Sequence, residues 1–220
     1  HCISSAASDV YKRQLHRCAQ QKLPVTLVGA GLPQLRGRMG EAKSYAERLF
    51  NFSEIGALSR GDASSAITLP AKEEGVEIEP AAVDAIITET QGYPYFLQEW
   101  GKCAWEVAEA SPISAQDVEK ASREAIAALD ESFFRVRFDR LTPSEKKYLR
   151  AMAELGTGPH RSGDIAQKLG KAVASFGPVR ASLIAKGMIW SPTHGDTAFT
   201  VPLFDEFMKR IMPGDAWQTA

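Results

Sequence analysis

The chain has 220 residues with a formal net charge of -1, 44% hydrophobic and 24% charged side chains. That is enough apolar material for one large or two small cores, and it excludes low-complexity, strongly acidic and strongly basic classes. No apolar run reaches the roughly 18 residues of a membrane span, and three scattered cysteines and four scattered histidines give no disulfide or zinc spacing.

The first fourteen residues, "HCISSAASDVYKRQ", have neither the apolar region of a secretory signal nor the basic periodicity of a transit peptide. Residues 4–14 match the translation of a transposase-end sequencing adapter. Residues 1–14 are therefore expected to be an artefact, and the natural gene is expected to continue upstream of Leu15. "LPVTLVGAGLPQL" then reads as a buried strand emptying into a loop, "GEAKSYAERLF" as a short helix and "NFSEI" as another short strand. Residues 15–58 have the grammar of the last piece of an α/β domain.

From 59 to 132 the pattern becomes helical. Asp62 is placed to cap a helix that Gly75 ends. "EPAAVDAIITETQG" stops at Gly92, and "YPYFLQEWGKCAWEVAEA" carries an apolar stripe through Phe96, Leu97, Trp100, Ala104 and Val107. Ser114 caps a fourth helix with Val118, Ala121, Ala125 and Leu129 inward. Residues 60–131 hold five basic and fifteen acidic side chains.

The segment 133–213, ahead of a short tail at 214–220, has the opposite charge balance, with ten basic and six acidic residues between 142 and 210. Thr142, Pro143 and Glu145 form a capping box with proline at the first helical position. "RSGDIAQKLG" and "AVASFGPVRASLIAKGMI" give two short helices, "MIWSPTHGDTAFTVP" two strand-like runs around Thr193 to Asp196, and "LFDEFMKRI" a closing helix. Three helices and a hairpin with a short turn between the second and third predict a winged helix-turn-helix.

In that order, the end of an α/β P-loop domain, a helical lid and a winged helix resemble the C-terminal part of an AAA+ ATPase. The nearest branch is the archaeal-ATPase and initiator-like one bordering the STAND NTPases. The resulting fold class is mainly α. The resemblance implies ATP and Mg2+ as cofactors of the full-length protein and self-association, and the lack of a long apolar run gives the expectation of a soluble, cytoplasmic protein without a membrane. This chain has no G-x-x-x-x-G-K-[ST] phosphate cradle, "GKC" and "GKA" lacking both upstream glycine and hydroxyl, so it is expected neither to bind ATP tightly nor to hydrolyse it alone.

By resemblance, Arg48 in "YAERLFNFSEI" stands where AAA+ proteins carry the arginine that reaches a neighbour's nucleotide. "GYPYFL" matches the G-x-P motif with which STAND-type lids approach the base, giving Gly92 and Pro94 as nucleotide contacts. Read from the chain alone, Gly92 is a helix C-cap and Pro94 the first residue of the next helix. Tyr95, Phe96 and Leu97 occupy the place of an initiator-type arginine sensor. For the winged helix two functions compete. Lys168, Lys171, Ser175, Arg180 and Lys186 lie on or beside the recognition helix and His194 in the wing, where they could meet the phosphates of double-stranded DNA. Alternatively the module docks on protein or is autoinhibitory, or the chain is an unrelated transcription factor with a helical ligand domain. Convergence of the basic residues on one exposed face discriminates between them.

Overall fold

The computed structural model describes residues 55–219 and, ahead of them, 13–14, 16–26, 28–29, 31, 51 and 53. The chain divides into two units, 1–54 and 55–220. In the first, residues 16–20 are helical. Leu23 and Val25, read as part of a buried strand, are exposed and belong to no ladder. A strand needs a neighbour for its N–H and C=O groups, and no described residue supplies one. The helix and strand expected over 40–55, Arg48 with them, lie almost wholly outside the described residues.

The second unit is mainly helical with one small sheet. Four helices come first: α1 (Arg60–Glu73), α2 (Pro80–Thr90), α3 (Pro94–Val107) and α4 (Ala115–Leu129). Ser59, not Asp62, caps α1: its hydroxyl accepts from the Asp62 N–H at 3.2 Å while donating to the Asp62 carboxylate at 2.7 Å. Ser114 caps α4 in a full capping box with Asp117. The links before α2 and α4 are tied together, Glu79 donating to the Ile113 carbonyl at 2.9 Å and Ile113 to that of Glu77 at 2.8 Å. Helix α4 runs through a π-helical turn, Asp130–Phe134, into the short α5 (Arg135–Phe138).

The rest follows in the order α6 (Pro143–Ala153), β1 (His160–Arg161), α7 (Ser162–Lys168), a 3-10 turn (Val173–Phe176), α8 (Gly177–Ala185), β2 (Ile189–Trp190), β3 (Asp196–Phe199), α9 (Phe204–Ile211) and α10 (Ala216–Thr219). β3 is the middle strand, antiparallel to both neighbours, with His160 opposite Thr197 and Ile189 opposite Phe199. β1 is absent from the sequence expectation, and it turns the expected hairpin into a three-stranded sheet.

One buried cluster runs from Ala63 in α1 to Trp217 in α10, so the acidic helices and the basic C-terminal segment share a core. Rings mark the junction. Phe134, 1% exposed, meets Phe96 of α3 at 5.8 Å between centroids and Phe204 and Phe207 of α9 at 5.6 and 5.3 Å. Tyr95 stacks on Phe133 at 5.1 Å, and Arg210 of α9 donates twice to the Asp130 carboxylate at 2.8 and 2.6 Å.

Candidate functional site

The helix pair α7–α8 is fixed by two polar clamps. In the first, the capping box of α6 does a second job. Glu145, 3% exposed, accepts from the Thr142 backbone N–H at 2.7 Å, from Lys186 Nζ at 2.6 Å and from the Ser182 hydroxyl at 2.7 Å. Burial alone would raise its pKa. The donated hydrogen bonds from Lys186, Ser182 and Thr142 outweigh burial and hold the carboxyl at about 2. Lys186 also donates to the Arg140 carbonyl at 3.0 Å. In the second clamp, Arg180 donates through Nε to the Thr197 hydroxyl at 3.0 Å and through one terminal nitrogen to Ser191 Oγ and the Asp196 carbonyl at 2.9 and 3.0 Å.

These geometries redirect two of the residues chosen for phosphate contact. Arg180, through Nε and one terminal nitrogen, and Lys186, through Nζ, donate to acceptors contributed by other elements, although Lys186 itself remains exposed. The remaining four face solvent: Lys168 ends α7, Lys171 and Ser175 lie on the turn into α8, and His194 is at the β2–β3 turn. The Ser175 hydroxyl donates to the Ala172 carbonyl. Arg161, not singled out from sequence, is exposed on β1 with Nε 3.1 Å from Asp196. The outer positions of α8 are Gly177, Pro178, Ala181 and Ala185, all exposed and none able to hydrogen-bond through a side chain.

The division between structural and exposed cations is measurable. Arg180→Ala strips three hydrogen bonds from a partly buried hairpin and is expected to lower stability by about 2 kcal/mol. Lys171→Ala is expected to stay within about 0.5 kcal/mol of the parent in urea unfolding.

At the other candidate site, Gly92 has φ +69, and a Cβ there would lie 2.9 Å from the Leu58 carbonyl oxygen, so a side chain is excluded by conformation and by space. Leu58 donates to the Gly92 carbonyl at 2.9 Å, and Pro94 opens α3. Both residues are accounted for by the helix boundary. Pro94 also borders a cavity of about 580 Å³, bounded by the 55–57 and 91–95 segments, Thr157 and residues 199–205. Among the described residues no lysine, arginine or histidine lines it, and the one charged residue that does is Asp205, 3% exposed. Sequence reasoning passed over Asp205, which reads as an ordinary first-turn acid of α9.

Among the described residues no group of three or more His, Cys, Asp or Glu side chains could hold a metal ion. No described helix is long and apolar enough to cross a membrane.

A family described as a domain of unknown function, DUF8462, matches residues 131–208, from the π turn to the middle of α9. None of the curated proteins matches the sequence. Among solved structures, the chain is similar to the Thermotoga maritima RuvB Holliday junction branch migration motor, with 20% identity over 89% of this chain and 63% of that one and a TM-score of 0.48. A point variant of the same RuvB gives 20% identity, the same coverage and a TM-score of 0.49. The chain thus spans less than two thirds of the length of the structures it resembles.

Proposed function

We propose that residues 133–213 are a winged helix that docks on the backbone of duplex DNA without reading base sequence, as the output module of an ATP-driven AAA+ switch. Residues 59–132 would be the lid of that switch. The order helix, strand, helix, helix, strand, strand, with β3 central, supports the winged-helix reading. The observation that carries the docking mode is the sorting of the cations. Arg180 and the exposed Lys186 are tied to Thr197 and Glu145 and hold α8 in place, while Lys168, Lys171, Ser175 and His194 are exposed around it. Phosphate contacts position a protein on duplex and base-edge contacts specify sequence; the outer face of α8 has no donor or acceptor side chain for the latter. ATP and Mg2+ are assigned to a phosphate cradle that this sequence does not contain.

A second reading, docking on protein, is favoured by the same outer face, small and uncharged from Gly177 to Ala185. Fluorescence anisotropy with a labelled duplex separates the two. Non-specific binding on the order of 10⁻⁴ to 10⁻⁶ M is expected at physiological salt, and replacing Lys168 and Lys171 together by alanine should flatten the log–log salt slope by roughly two. No binding at low salt, or a slope that the double variant leaves unchanged, would favour the protein-docking reading.

A further inference from the structure

The cavity beside Pro94 has a floor built from the start of α9. Leu203 caps that helix in the left-handed region, φ 62, which turns the chain so that Asp205 sits in the first turn. Asp205 Oδ2 is buried without a hydrogen-bond partner, as is the hydroxyl of Thr200. Both residues line the cavity. Burial pushes the Asp205 carboxyl above the usual range, and Glu206 adds to the effect. The nearby cation, Lys209, already donates to Glu206 at 2.9 Å.

A buried carboxylate oxygen with no hydrogen-bond partner is costly, and no described residue of the wall donates to it. What would offset it is a cationic N–H donor from outside. The walls suit one: Tyr93, Tyr95 and Phe199 line the cavity, and the faces of aromatic rings attract organic cations. A phosphate or carboxylate would meet Asp205 and, among the described residues, no basic side chain. A neutral donor would leave the charge uncompensated. The volume of about 580 Å³ falls in the range of small-molecule sites and exceeds what a single lysine or arginine side chain fills.

We propose that this cavity binds a small organic cation, an amidinium, guanidinium or ammonium group on a flat apolar body. The cation donates to Asp205 Oδ2 and the Thr200 hydroxyl while the body lies among Tyr93, Tyr95 and Phe199. The site is independent of the duplex-docking face.

The test is a titration of the whole chain with benzamidine at neutral pH, followed by amide chemical shifts, with uncharged benzamide as the matched control. Benzamidine is expected to shift the amides of Tyr95, Thr200, Asp205 and Glu206 saturably. Benzamide should bind about ten- to a hundredfold more weakly, the effect of one charge-assisted hydrogen bond. Asp205→Asn keeps an N-terminal acceptor and removes the charge, so it should cost benzamidine the same factor while leaving the thermal midpoint equal or higher. Equal binding of benzamide and benzamidine, or shifts confined to other surfaces, would overturn the proposal. So would adenosine monophosphate saturating the same amides in both the parent and Asp205→Asn. If the variant failed to fold, the benzamidine–benzamide ratio on the parent chain would still decide the matter.

Discussion

Phe134→Ala is expected to lower stability by about 3–5 kcal/mol, the largest loss of any single truncation considered. The ring is fully buried at the π turn and touches Phe96 on one side and Phe204 and Phe207 on the other, so its removal opens a void where the four-helix part and the C-terminal part meet. Neither side can collapse into the gap without breaking its own ring contacts. Against a total stability of roughly 5–15 kcal/mol the loss is severe. Urea unfolding should show one transition displaced to lower denaturant with an unchanged slope, because both parts draw on the same core. Two separate transitions, or a loss under about 1 kcal/mol, would contradict the shared core.

Glu145→Gln is expected to cost on the order of 3 kcal/mol at neutral pH, and the cost should fade in acid. The carboxyl is held at about 2 against an ordinary value of 4.5. A depressed carboxylate pKa stabilises the fold above the unfolded value, and that contribution disappears as pH falls from about 4.5 through about 2. The span between these values corresponds to roughly 3 kcal/mol. Urea unfolding of parent and variant across acid pH should show the gap more than halved by about pH 3. The amide in Glu145→Gln also leaves Lys186 without its carboxylate partner, so α8 should loosen where it meets α6. A gap independent of pH would mean that shape, not charge, is what Glu145 contributes.

Local chemistry made the helix starts legible. Thr142, Pro143 and Glu145 lie within four consecutive residues, and the reciprocal bonds they form need nothing from the rest of the chain. Ser114 was legible for the same reason. At α1 the two local candidates, Ser59 and Asp62, bond each other, and spacing alone did not say which was the cap. β1 was invisible because two residues cannot show alternation and its partner lies on the far side of α7 and α8 in sequence. The fates of Arg180 and Lys186 were hidden for a related reason. Counting charges along a helix does not reveal acceptors on other elements, here Thr197 on β3 and Glu145 on α6. Asp205 is the clearest case: it is one acid among many in sequence, and only the packing of 199–205 shows that one of its oxygens is stranded.

Where a duplex touches residues 133–213 is read directly by amide shift mapping of the 220-residue chain with a short duplex at low salt. Shifts are expected to concentrate at Lys168, Lys171, Ser175 and the turn bearing His194, with Arg180 and Lys186 keeping their partners within the chain. Shifts centred on Ala181 and Ala185, or no shifts at all, would contradict this docking mode.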